Sequence, residues 1–323
     1  MLKEYRKLNN SFKKKLVFNL GSEMGFYSEF NNMVFAILYC LKYEYTFILY
    51  TAGANFKFKD GWTDYFEPFC SSTNFSFHSK YNKRIVKPIL SRRDLPLLYL
   101  YRWLHPATYF TYELWDKFYN ASFEQEYFDI PALGIKGNLK EAAIKIVEMI
   151  YRYNATTKKE IQLLSDTLDL PAKYTGVNIR RGDKDTEFKF ISIDAYMTKL
   201  KKVSNLNDVF LLTDDYTTMT YLKKIYPQMN FYSFVDEDEK GYVHNNFIKS
   251  DSGERKKKMI QLFTSIELLC GADKFVGAFT ANPGLFIAMR LDESKVYSVQ
   301  KASWYQFELD DVRDDVIKIS TPL

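Results

Sequence analysis

The sequence predicts an α/β protein of two domains, each a doubly wound parallel sheet, and three observations carry that reading. A strand, glycine loop, helix, strand order fills residues 16–49; after Pro171, short apolar strands alternate with amphipathic helices as far as Val299; and 323 residues are enough for two domains of ordinary size. In the first part, residues 16–20 read as a strand and Gly21 and Gly25 as a loop. Phe30, Val34, Ile37, Leu38 and Leu41 then recur at helical spacing, and residues 45–49 form a second strand, which makes a βαβ unit. Residues 51–120 are aromatic and irregular and read as an insertion. A helix is expected over 141–153 and a helical crossover over 154–170, so the boundary is placed near 170, with domains 1–170 and 171–323.

The second part is more regular. Strands are expected at 174–179, 209–212, 230–234, 274–278 and 296–299. Ser192 is placed to cap a helix that buries Ile193, Tyr196, Met197, Leu200 and Val203. Further helices follow through Met219, Leu222 and Ile225, and through Met259 to Leu269; Pro283 opens the last one.

Composition narrows the function. Forty-five Lys and Arg against 40 acids leave a net charge of only +5, too dilute for a bulk nucleic-acid binder. Three cysteines with no CxxC spacing make neither a disulfide framework nor a zinc site. The opening residues lack the apolar core of a signal peptide, and the apolar run 33–41 is too short for a membrane span. A cytoplasmic protein with no transmembrane segment is therefore expected. Aromatic residues make up 17% of the chain; Trp62, Tyr65 and Trp103 offer faces for sugar rings, although core packing accounts for most such residues.

Three candidate sites fall at the carboxyl ends of expected strands, where doubly wound sheets bind ligands. Arg180 and Arg181 follow the first strand and suit a diphosphate, because a guanidinium presents a planar fork of donors; a solvated basic turn with Asp183 as partner is the competing reading. In Thr213-Asp214-Asp215, a carboxylate can accept from a ribose hydroxyl or a base N–H, or cap the next helix. The small-residue loop from Phe279 to Gly284 opens a helix and exposes backbone N–H groups to an anion. Asp236-Glu237-Asp238 imitates a metal-binding acidic pair but sits in a charged run that reads as a solvated loop.

The order Arg-Arg-x-Asp, Thr-Asp-Asp, small-residue loop resembles that of the GDP-fucose-dependent fucosyltransferases, and most of all the α1,6-fucosyltransferases. Gly61-Trp62 through Pro68 looks like that family's Gly-Trp-x-x-x-Phe-x-Pro segment, and His244-Asn245 falls where the family has a His-Asn pair. The resemblance covers roughly residues 16–300, thinly through 70–170. It implies a GT-B fold, two Rossmann-like domains facing across a cleft, with the nucleotide sugar held by the second and the acceptor by the first. It further implies an inverting transfer of fucose from GDP-fucose to a glycan acceptor, with no metal or other cofactor. By motif match, Asn178, Arg180, Arg181, Asp214, Asp215, Thr280, Ala281 and Asn282 would bind the donor, with Gly21 and Gly25 in the first-domain loop. Arg180 and Arg181 would also stabilise departure of the diphosphate, which makes Arg180 catalytic, and, allowing a one-residue deletion, Glu187 would be the catalytic base, with Asp183 and Lys184 beside it. Asn178 stands where the family usually has His, and Ala281 where a Ser is common; both keep another GDP- or UDP-sugar open. An inert glycan- or nucleotide-binding protein on the same fold is the alternative from a different class.

Overall fold

The parallel sheets are laid down by short strands that are buried on both faces, and a computed structural model describes them over residues 1–83, 92–182, 191–279 and 281–300. The chain divides into two units, Met1–Thr157 and Lys158–Leu323. The division lies ahead of the expected position near 170, and the crossover helix accounts for the difference. That helix is joined to the second unit by an ion pair between Glu160 and Lys256 (2.5 Å).

In the first unit, α1 (Leu2–Asn9) leads into β1 (Lys14–Asn19), α2 (Phe26–Tyr43) and β2 (Tyr45–Tyr50). Short helices α3 (Phe77–Tyr81) and α4 (Leu95–Leu104) precede β3 (Thr108–Phe110) and α5 (Thr111–Phe118). The one-turn α6 (Ala121–Glu124), a small antiparallel pair β4 (Phe128–Ile130) and β5 (Ile135–Gly137), and α7 (Leu139–Ile150) complete it. β1 is central, paired in parallel with β2 from Lys14–Tyr45 to Asn19–Tyr50 and with β3 through Lys15–Thr108, Leu16–Tyr109 and Val17–Phe110. β3 lies inside the stretch expected to be irregular: three residues carry no readable period, and their strand state comes from pairing with β1. α7 starts where Asn138 and Glu141 cap it reciprocally.

The aromatic excess goes largely into this core. Trp62 and Tyr65 are 3% and 0% exposed, so neither is a sugar platform. Trp62 stacks on Phe66 at 4.3 Å, Phe66 stacks on Phe26 at 5.7 Å, and the Tyr65 hydroxyl donates to the Phe56 carbonyl at 3.1 Å.

The second unit contains β6 (Thr175–Ile179), α9 (Ile193–Val203), β7 (Asp208–Thr213), α10 (Tyr216–Ile225), β8 (Asn230–Tyr232), α11 (His244–Lys249), α12 (Ser252–Gly271), β9 (Lys274–Gly277), α13 (Asn282–Ala288) and β10 (Val296–Ser298); the crossover helix ahead of them is α8 (Ala155–Ser165). Its five strands are parallel in the order β10-β9-β6-β7-β8. The chain runs outward from β6 through β7 to β8, then returns to β9 on the other side of β6. The reversal therefore falls between β6 and β9, where such sheets open a crevice at their carboxyl ends. Val177, Ile179, Val209, Leu211 and Val276 pack with Tyr196, Met197 and Leu200 of α9 on one sheet face. Ser192 caps α9 as expected, its Oγ accepting from the Ala195 N–H at 3.2 Å.

Candidate functional site

Arg180 and Arg181 leave β6 at its carboxyl end, and Asp214 leaves the adjacent β7 at the same edge, one step past the Ile179–Thr213 pair. Asp214 binds this edge together. Its Oδ2 accepts from Arg180 Nη1 at 2.6 Å and from the Tyr242 N–H at 3.0 Å, and its Oδ1 accepts from the Arg181 N–H at 2.7 Å. The Arg180 guanidinium lies 4.7 Å from the Tyr242 ring centroid, so it is held by a carboxylate and an aromatic face together. The Tyr242 hydroxyl in turn shares a 2.9 Å hydrogen bond with His244 Nδ1 at the start of α11. Arg181 Nη1 donates to the Ile191 carbonyl at 3.0 Å.

The close approach of the two loops requires glycine twice. Gly182 has φ +65°, and a Cβ there would meet the Tyr242 backbone; Gly241 has φ +98°, and its Cβ would fall 2.5 Å from the Gly182 Cα. Tyr242 is a residue of this edge that sequence reasoning missed. Its neighbours Gly241 and His244 were the available signals, but contact with Arg180 is a property of the fold.

Both carboxylates of the Thr213-Asp214-Asp215 turn, expected on the donor, have protein partners: Asp214 pairs with Arg180, and Asp215 caps α10, its Oδ1 accepting from the Thr217 N–H (2.9 Å) and hydroxyl (2.8 Å). Within β6, two residues ahead of Arg180, Asn178 is paired in register with Leu212 of β7 and is only 3% exposed. Its Nδ2 is buried with no hydrogen-bond partner among the described residues. The Ala281 N–H, expected to face an anion, already donates to the Ala278 carbonyl at 3.1 Å, and Ala281 caps α13, with Asn282 its first residue. Asp183, Lys184, Glu187 and Thr280 lie outside the described residues.

In the glycine loop of the first unit, where Gly21 and Gly25 were expected to help bind the donor, the N–H groups of residues 21–24 have an acceptor from the chain itself. Glu29, 1% exposed in the first turns of α2, accepts from the N–H groups of Gly21, Ser22 (3.1 Å), Glu23 (2.8 Å) and Met24 (2.7 Å). A carboxylate at a helix N-terminus satisfies both the loop and the helix dipole, and it takes the place an anion would occupy. Asp64 closes the next loop in the same way, accepting from the N–H groups of Phe58 and Lys59 (2.9 Å each), Asp60 and Gly61 (2.8 Å). The acidic run Asp236–Glu237–Asp238 is exposed, as expected of a solvated loop.

No protein-family model matches the chain, and a sequence comparison with curated proteins finds no match. Solved structures do match. NodZ α-1,6-fucosyltransferase soaked with GDP-fucose aligns with a TM-score of 0.53 at 12% identity, covering 86% of this chain and 93% of that one. The fucosyltransferase NodZ from Bradyrhizobium aligns at 0.52, again with 12% identity, over 86% and 94%. NodZ co-crystallised with GDP aligns at 0.50 with 12% identity, over 86% and 93%. The likeness that the motifs suggested thus extends to three dimensions, and the chain has the α/β GT-B fold of these fucosyltransferases.

Proposed function

We propose that this protein is a glycosyltransferase that transfers fucose from GDP-fucose to a hydroxyl of a glycan acceptor. The observation that carries the reading is the pairing of Arg180 with Asp214 and Tyr242 at the carboxyl edge of β6, beside the reversal of strand order, on a fold shared with NodZ. The second unit binds the nucleotide sugar and the first the acceptor, and a cytoplasmic location belongs to the same reading. Arg180, oriented before any ligand arrives, and Arg181 meet the diphosphate. The Nδ2 of Asn178, without a partner among the described residues, donates to the bound nucleotide sugar.

In the reaction, an acceptor oxygen bonds to the anomeric carbon from the face opposite GDP while the bond from that carbon to the diphosphate oxygen breaks. The electron pair leaves with GDP, and Glu187 takes the acceptor's proton, with Asp183 and Lys184 beside it. The transition state has oxocarbenium character, and the growing phosphate charge is met by the two guanidiniums, with Thr280 and Asn282 near the phosphates. Anomeric configuration is inverted, and no metal ion is needed for departure. A second reading, another GDP- or UDP-sugar as donor, is favoured by Asn178 standing where the resemblance leads one to expect His.

Thermal denaturation with GDP, GDP-fucose, GDP-mannose and UDP in EDTA tests the donor. A ligand at ~100 times its dissociation constant adds about 2.7 kcal/mol, a rise of roughly 5–10 °C in a unit of this size. A rise with GDP and GDP-fucose alone supports the reading, and a rise with UDP alone overturns the donor. Transfer of labelled fucose in EDTA, lost in Glu187→Gln while the GDP shift persists, tests base and metal independence. A GDP shift without any transfer by the unaltered protein over a broad glycan panel would leave the inert binding protein.

A further inference from the structure

α4 is apolar almost all the way round, yet only part of it is packed. At 100° per residue, Leu98, Tyr101 and Arg102 fall on one side, while Pro96, Leu97, Tyr99, Leu100, Trp103 and Leu104 share an opposite arc of about 160°. The inner side is well accounted for. Leu98 and Tyr101 pack against Phe77, Tyr81 and Phe110, with the Tyr101 and Phe77 rings 4.3 Å apart. The Arg102 guanidinium lies 4.3 Å from the Phe110 centroid, donates to the Thr108 carbonyl at 2.8 Å and pairs with Glu113.

The outer arc carries no charge and stands in solvent: Trp103 is 77% exposed, Tyr99 66%, Leu104 57%, Leu100 51% and Leu97 48%. A helix that is hydrophobic all round is normally buried. A contiguous apolar surface of this kind, on the order of 500 Å², is at the upper end of what soluble monomers expose.

Charge identifies what covers it. Between residues 80 and 105 the sequence has seven Lys and Arg and a single acid, Asp94, a local net of +6 against +5 for the whole chain. The segment that carries α4 is thus one of the most basic stretches of the chain. Arg92 and Arg93 are exposed just ahead of the helix, while Asp94 is held by Lys80 at 2.5 Å. Leucines on one arc with a Trp and a Tyr, preceded by arginines, match a bilayer interface: leucine reaches the acyl boundary, the aromatic rings sit at headgroup depth, and guanidiniums meet lipid phosphate. A glycan would need several polar groups beside the rings, and the arc offers only the Tyr99 hydroxyl and the Trp103 indole N–H. At ten residues, about 15 Å, the helix is too short to span a bilayer.

We propose that α4 is an in-plane membrane anchor that lays Leu97, Tyr99, Leu100, Trp103 and Leu104 into the surface of an anionic lipid bilayer. The inference is independent of the donor site.

Co-sedimentation of the full chain with vesicles tests it, using phosphatidylcholine alone or with one-third phosphatidylglycerol. Binding is expected on the anionic vesicles at low salt and little on the neutral ones, with at least a ~10-fold fall in partition coefficient at ~0.5 M salt. Leu100→Ser with Trp103→Ser is expected to lower partition at least ~10-fold while leaving circular dichroism and the melting temperature unchanged, since both side chains are exposed. Arg92→Gln and Arg93→Gln are each expected to lower it ~5-fold. Failure to sediment with anionic vesicles, or sedimentation that the Leu100/Trp103 variant leaves intact, overturns the proposal. It is equally overturned if the chain ignores vesicles but forms a dimer that this variant dissociates, which would make α4 a face between two copies.

Discussion

The glycine loop after β1 and the arginine turn after β6 occupy equivalent places, each following the first strand of its unit at the carboxyl end, and they are finished in opposite ways. After β1, the backbone donors of residues 21–24 are filled by Glu29 of the following helix, just as those of 58–61, after β2, are filled by Asp64. After β6, the internal carboxylate of Asp214 holds one guanidinium in place, and the neighbouring Asn178 Nδ2 is buried without a partner among the described residues. The first loop has its donors satisfied internally; on the proposed reading, the second orients a cation for an anion. Residue types alone do not distinguish the two, since glycines ahead of a helix N-terminus serve both.

The largest effect should come from opening the closed loop. Glu29→Ala leaves four N–H groups without their acceptor and is expected to cost about 4 kcal/mol. That corresponds to a fall of roughly 10 °C in the melting temperature of a unit this size. Glu29→Gln, which keeps an acceptor oxygen, should recover part of it. If Glu29→Ala melts with the parent and also weakens GDP binding, the loop is a ligand site and the contrast fails.

Acid should loosen the same unit next. His78 of α3 is buried with its ring against Tyr50, Tyr101 and Phe110; its Nδ1 accepts from Asn82, whose amide also donates to the Val17 carbonyl at 2.7 Å. Burial, aided by the nearby charge of His105, pushes the imidazole down to about 4. The unfolded chain, with an ordinary value near 6.5, then binds more protons than the fold on the acid side. Stability is expected to be complete above ~pH 6.5 and to be lost as pH falls toward and through ~4, by up to about 3 kcal/mol. Denaturant midpoints at several pH values, compared with His78→Gln, check this; a slope unchanged in the variant would remove His78 from the account.

A smaller loss is expected on the open side. Asp214→Ala releases Arg180 and two backbone N–H groups, in a pair that is partly solvated, and should cost about 2 kcal/mol. It should also lower GDP affinity at least ~10-fold by undoing the preorganisation of Arg180. Unaltered GDP affinity in a folded Asp214→Ala protein would show that Arg180 is not held for a ligand.

Asn178→Leu is the sharpest discriminator and has the least effect on stability. An unpaired buried donor contributes nothing to the unliganded fold, so the change should be within about 0.5 kcal/mol or stabilising. The thermal shift on adding GDP should nevertheless shrink. Equal shifts in the parent and the variant would place the donor away from Asn178.

Local pattern determined a good deal of this protein. The parallel strands of the second unit, the caps by Ser192 and Asp215 and the placement of Arg180, Arg181 and Asp214 at strand ends all follow from spacings of a few residues. What the tertiary structure decided lies in contacts between residues far apart along the chain. β3 is a strand because β1 is beside it; Asp214 faces Arg180 from 34 residues away; Tyr242 reaches both from a loop after β8; and α4 keeps one apolar arc outside the core. Periodicity reports which residues prefer to be buried or to start a helix, because those energies are local. It does not report which donor meets which carboxylate, because that depends on how the elements pack.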